Sequence, residues 1–216
     1  MKFNMNPIVK HTTTKERAYN EIKKVILNGY ISSKEIFTEV QLADSLNTSR
    51  TPVREALLDL MKEGLITSIP RKGMTIRTVT ESEIEQIFLV RTSVESEVIK
   101  SLAETITEQQ LEQLKRSCKQ QEKAMFENDD VRFIHLDQQF HSTLIHFAGF
   151  ELIEQTLLNF HNLSQLIGLK AVKKSNRMQE VLMEHLKIIS TLEQRKPDSA
   201  VLTMIEHLQR TKESIR

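Results

Sequence analysis

Four side chains in the second half of the chain have the types that bind transition metals: Asp137, His141, His185 and His207. Asp137 and His141 lie four apart on an apolar stripe with Phe133, Phe140, Leu144 and Ala148, so one helix would carry both on its buried face. His185 shares a face with Val181, Leu182, Ile188, Ile189 and Leu192, and His207 with Ala200, Met204, Leu208 and Thr211. Ionisable groups on a buried face cost free energy unless they are paired or coordinate a metal. One carboxylate and three imidazoles suit Zn²⁺ first, with Ni²⁺ and Mn²⁺ as the other divalent candidates. Each histidine alone fits a satisfied core residue better than a ligand. Glu184 and Glu206, about 100° around their helices from the histidines, are expected to face solvent or a partner. His135 and His146 fall off the stripe and should be surface residues, while His161 either lines the cavity or packs. Arg91 and Glu95 share an inner stripe with Ile84, Ile87, Phe88 and Val98. They suit either an anionic effector or a buried pair that organises the helices.

The first third of the chain carries a different chemistry. Ser49-Arg50-Thr51-Pro52-Val53-Arg54 opens a helix whose Val53, Ala56, Leu57, Leu60 and Met61 form one buried face, which leaves Arg54 elsewhere. Arg50 and Arg54, four apart, project together and match the bidentate acceptors of guanine in a DNA major groove. Ser49, Thr51 and the helix N-terminus suit phosphate oxygens. Arg71, Lys72 and Gly73 fall at the tip of a predicted hairpin, where glycine would let backbone approach a duplex. Residues 1–79 hold 13 Lys and Arg against 8 Asp and Glu; residues 80–216 hold 17 against 21. A polyanionic partner is therefore expected for the first segment only.

These residues need elements to position them. Only 5 Gly and 4 Pro in 216 residues favour a mainly helical chain. Thr38-x-x-Gln41, Thr80-x-x-Glu83 and Thr107-x-x-Gln110 are capping boxes, each flanked by a hydrophobic staple pair. The periodicity predicts helices over 13–28, 38–46, 49–63, 81–103, 108–127, 130–148, 151–169, 177–195 and 198–213. Two β-prone stretches, 65–69 and 74–77, form the hairpin. The expected architecture is mainly α: a winged helix-turn-helix in 1–79, then an antiparallel all-helical bundle in 80–216. No apolar run approaches a membrane span or a signal-peptide core. A single cysteine, Cys118, excludes an internal disulfide and fits a cytoplasmic protein.

The stretch from Leu42 to Leu57, followed by Glu63-Gly64-Leu65, resembles the signature of GntR-family transcription regulators across residues 15–79. The resemblance implies that Arg50 and Arg54 read bases, that Ser49 and Thr51 touch backbone, and that Gly73 enters the minor groove. Two positions depart from it: Ser32-Ser33-Lys34 replaces the usual Pro-Gly loop, and Val40 stands where relatives often carry a DNA-contacting Arg. Residues 81–213 are similar to the FCD ligand-binding domain of the FadR subfamily. The matching segments are Arg91-x-x-x-Glu95, Leu136-Asp137-x-x-Phe140-His141-x-x-Leu144, Glu184-His185-x-x-Ile188 and Ala200-x-x-x-Met204-x-x-His207-Leu208. Metal-binding members use an Asp and three His at these positions. The resemblance further implies a homodimer, a small organic-acid effector and a double-stranded DNA operator, usually repressed. The competing readings are a metal-dependent hydrolase-like enzyme and a regulator whose metal is purely structural. Neither His-Glu-x-x-His nor paired Glu-x-x-His motifs are present to favour the enzyme.

Overall fold

The computed structural model describes residues 12–215 except 173 and 175, and the side chains of residues 158 and 159 are also left out. Contacts divide the chain into two compact units that meet at Arg77 and Thr78.

In the first unit, α1 (Thr14–Leu27) starts at a capping box of Thr13 and Glu16 that the sequence reading did not single out. It buries Ala18, Ile22 and Ile26, one residue per turn, and packs on α3. The helix-turn-helix comprises α2 (Glu39–Ser45) and α3 (Arg50–Lys62), with Asn47 at φ +47° in the turn. Val53, Ala56, Leu57 and Leu60 of α3 are all at most 1% exposed. Gly64, at φ +73°, ends α3 in the left-handed conformation that glycine adopts without a Cβ penalty. The wing follows as an antiparallel hairpin of β1 (Ile66–Ile69) and β2 (Gly73–Ile76), in register from Ile66 opposite Ile76 to Ile69 opposite Gly73.

The second unit is helical throughout its described residues. It runs through α4 (Glu81–Thr105), α5 (Glu108–Phe126), α6 (Asp130–Phe147), α7 (Glu151–Ala171), α8 (Arg177–Glu193) and α9 (Pro197–Ile215). The boxes at Thr38, Thr80 and Thr107 form as expected, each threonine accepting from the backbone N–H three residues on. Helix α4 packs mainly on α9, while α5 packs on α6 and α8 and α7 packs on α6. Ile99, Leu102, Leu114, Phe140, Ile188, Leu192 and Leu208 are fully buried in the shared core. Cys118 lies in that core, where burial pushes its thiol up to about 12, so it packs rather than reacts. No described helix is long and apolar enough to cross a membrane.

Candidate metal centre and nucleic-acid interface

Asp137 and His141 come from α6, His185 from α8 and His207 from α9, and all four are buried. One ligating atom from each lies within 4.8 Å of every other. Phe140 fixes the His185 ring by stacking on it, with centroids 4.0 Å apart and planes 13° apart.

Each imidazole is held from behind through Nδ1. His141 Nδ1–H donates to Glu95 Oε2 at 2.6 Å, and His207 Nδ1–H donates to Glu184 Oε2 at 2.7 Å. His185 Nδ1–H donates to Gln121 Oε1 at 2.9 Å. A carboxylate or an amide oxygen only accepts, so the proton of each neutral ring sits on Nδ1 and the Nε2 lone pairs face inward. His141 Nε2 and His207 Nε2 stand only 3.1 Å apart, two acceptors facing each other. His185 Nε2 is 3.4 Å from Asp137 Oδ1, yet it makes no hydrogen bond and is a buried unpartnered atom. Burial first, and then the neighbouring imidazoles, hold His185 well below the ordinary histidine range. Burial also lowers His207, although its bond to Glu184 works the other way. The lowered His185 and His207 favour the neutral ring, which keeps their Nε2 lone pairs unprotonated. A divalent cation would supply positive charge there, and the donor set of three nitrogens and one carboxylate would fit one.

The outer partners are themselves anchored. Glu95 Oε1 accepts from Arg91 Nε at 2.7 Å, and both residues are 2% exposed. Burial alone would raise Glu95, but the Arg91 charge and His141 outweigh it and hold the carboxyl far below the usual carboxylate range. Both oxygens of Glu95 are thus committed, so of the two roles open from the sequence the structure has the buried pair with Arg91, which also supports His141. Glu184 also departs from expectation. It points inward at 7% exposure, clamped by Arg177 at 2.9 and 3.1 Å as well as by His207. Helix α8 is covered by both α5 and α9, so its buried arc is wider than the single stripe assumed from periodicity. Glu206 does face solvent, paired with Lys187. His135 and His146 are exposed, and His161 is buried with Nδ1 against Ser142 Oγ at 3.1 Å.

Burial, reinforced by the Arg91 charge, lowers His161 to about 4. Its folded value lies below the unfolded value near 6.5, so the unfolded chain binds the extra proton. The stability it contributes is therefore complete above pH 6.5 and is lost as pH falls toward 4. A shift of this size corresponds to about 3 kcal/mol. Denaturant unfolding of wild type and His161→Phe at pH 7 and pH 4 checks this. The wild type should lose about 3 kcal/mol more than the variant, and equal losses would contradict it.

In the first unit, a groove of ≈ 450 Å³ is lined by the start of α2, the exposed side of α3 and the wing. Arg50, Arg54, Arg71, Lys72 and Gly73 all border it. Ser49 occupies the N-cap of α3 without a side-chain capping bond, so its hydroxyl stays available. The exposed Arg50 and Arg54 lean toward Glu39, at 3.4 and 3.9 Å. Val40, 45% exposed, borders the same groove. Gly73 has a structural duty the sequence reading did not foresee. At φ +137°, an added Cβ would come within 2.5 Å of the Phe37 carbonyl oxygen, on the segment that bridges to Met74. Gly73→Ala should therefore cost about 2–3 kcal/mol and loosen the wing. Hydrogen exchange at Met74 and Phe37, whose backbones bond each other, should accelerate. Unchanged exchange would show that the close approach is not required.

The FCD domain family matches residues 86–210, and the family described as bacterial regulatory proteins, gntR family, matches residues 14–76. The chain belongs to the GntR family. Its relatives include the HTH-type transcriptional regulator YdhC of Bacillus subtilis (strain 168), 28% identical over 88% of this chain and 85% of that protein. The HTH-type transcriptional repressor RspR of Escherichia coli (strain K12) is 28% identical over 93% of this chain and 88% of its own length. The solved structure of E. coli McbR/YncC shares the fold, with a TM-score of 0.81 at 18% identity over 95% of this chain and 98% of that one. This GntR-family chain thus has relatives that are transcription regulators rather than enzymes, and it joins a winged helix-turn-helix to an FCD-type helical domain.

Proposed function

We propose that this GntR-family chain is a cytoplasmic, homodimeric repressor whose DNA affinity is set by a small organic acid at a metal centre. Asp137, His141, His185 and His207 hold a divalent transition metal, zinc first, and Arg91 assists the acid. Arg50 and Arg54 read bases, Ser49 and Thr51 hold phosphates, and Arg71, Lys72 and Gly73 present the wing.

The observation that carries this reading is the convergence of inward-facing Nε2 lone pairs on Asp137, each fixed by a committed Nδ1. When bound, a divalent ion supplies positive charge and open positions for a carboxylate. Helix α4 follows the wing in the chain and is tied to the centre through Glu95. An acid that favours one arrangement of α4 against α6, α8 and α9 shifts the population of that arrangement. That shift changes how two winged units match half-sites one DNA turn apart.

A genomic selection with purified protein at moderate salt tests the reading. It should enrich a palindromic sequence, and metal removal should alter its affinity. Recovery of DNA without sequence preference would overturn it. Metal stabilisation with no organic acid altering DNA affinity would favour a purely structural metal.

A further inference from the structure

One small cavity borders the metal centre. Its wall includes Arg91 on α4, Asp137 and Gln138 on α6, Ser164 on α7 and Arg177 on α8. Four of these five carry a buried polar atom without a partner: Arg91 Nη2, Gln138 Oε1, Ser164 Oγ and Arg177 Nε. All four residues are at most 8% exposed. Native interiors leave few such atoms, so four around one cavity point to a ligand. The rest of the lining is mostly apolar.

The unpartnered atoms state what the ligand must offer. Two guanidinium N–H groups require acceptors, which a carboxylate supplies. Gln138 Oε1 requires a donor. The orientation of this amide is fixed, because its Nε2 donates to Asp137 Oδ2 at 2.9 Å and the reverse would set two oxygens together. A simple carboxylate leaves Oε1 unsatisfied, whereas a hydroxyl satisfies it. The Ser164 hydroxyl adapts to either role.

Charge sets how many carboxylates fit. The buried groups are three carboxylates, Asp137, Glu95 and Glu184, and two guanidiniums, Arg91 and Arg177. They leave one net negative charge, and a divalent ion turns that into one net positive charge. A monoanion then balances the site, and a dianion or trianion overshoots it, at a desolvation cost that a buried site does not recover. Space points the same way. The cavity is ≈ 20 Å³, room for about one water, so any organic acid would need it to widen, and a short one needs least.

We infer that the effector cavity selects a short monocarboxylate carrying a hydroxyl, over plain carboxylates and over di- or tricarboxylates. This rests on the metal-centred reading above and adds the ligand class. Gln138 Oε1 reads the hydroxyl, and Arg91 and Arg177 receive the carboxylate.

Calorimetric titration of the full chain with glycolate, acetate, malonate and citrate, with zinc and after chelation, tests the assignment. With zinc, glycolate should bind about tenfold more tightly than acetate, the effect of one satisfied buried hydrogen bond. Malonate and citrate should bind more weakly than glycolate. Chelated protein should bind glycolate at least about tenfold more weakly. Gln138→Met should bring glycolate down to acetate's affinity, and Ser164→Ala should keep most of the preference. Tighter malonate or citrate binding overturns the charge argument, and equal glycolate and acetate affinities overturn the role of Gln138. Protein that binds zinc stoichiometrically but no acid overturns the inference and leaves the metal centre standing. Protein that binds no zinc overturns both.

Discussion

Protein carrying His207→Ala is expected to emerge from dialysis against a mild chelator without metal, while the wild type retains about one divalent ion per chain. His207 Nε2 lies 3.1 Å from His141 Nε2, and removing it takes away one of four donors. The more informative variant is Glu184→Gln, which leaves every proposed ligand in place. Glu184 Oε2 holds the Nδ1 proton of His207, and Arg177 clamps both oxygens. A neutral amide lowers the basicity of the ring and weakens its orientation, which costs metal sites about 10–100-fold in affinity. Lys187→Gln, which breaks only the exposed pair with Glu206, is the control and should bind metal as wild type does. Stability offers a second readout. Free zinc at 1,000 times its Kd should stabilise the wild type by about 4 kcal/mol. For a domain of this size that is roughly 8–16 °C in Tm. His207→Ala should show little of this shift, and a full shift in that variant would move the metal elsewhere.

The second large effect concerns DNA. Arg50→Ala and Arg54→Ala should each weaken binding to a selected operator by about 1–3 kcal/mol, roughly fivefold to more than a hundredfold. Each should also relax preference at one guanine. Both side chains are about 70% exposed, so truncation leaves the α3 core intact and Tm should barely move. Lys72→Ala should instead weaken all sequences alike and reduce the salt slope by about one. Mobility-shift titrations on the operator and its single-base variants distinguish these outcomes. If Arg54→Ala lowers affinity without changing base preference, it contacts phosphate and the assignment of base reading is wrong.

Much of this was legible in the sequence because helical periodicity is strict. Asp137, His141, His185 and His207 were found by their places on apolar stripes, and the structure brings all four together. The capping boxes at Thr38, Thr80 and Thr107 marked helix starts because their hydrogen bonds are local. What escaped depended on neighbours distant in sequence. Glu184 looked solvent-facing because a helical wheel assumes one buried stripe, whereas α8 is covered on two sides. Arg177, two turns earlier on the same helix, was the available signal that this glutamate has a buried partner. Glu95 stayed open between an effector and a buried pair because nothing local in the chain shows that His141, 46 residues on, takes its second oxygen. Gly73 was assigned to DNA approach, and its contact with Phe37 could not be read before the β-bridge was known.

The arrangement of the centre bears on the order in which the molecule is made. Its close contacts join residues 46, 64 and 66 positions apart and draw on α4, α5, α6, α8 and α9. No short stretch of nascent chain holds even three of the proposed ligands, so the ion cannot template early collapse. Loop closures of this length come late. On the proposed metal-centred reading, loading would be the final event of maturation, and a freshly synthesised chain would sample the free-metal pool only once it is folded. Interactions absent from the transition state slow unfolding without hastening folding. Stopped-flow refolding should therefore proceed at the same rate with and without zinc, with unfolding alone retarded. A zinc-accelerated refolding phase would show that the site forms earlier than its topology indicates.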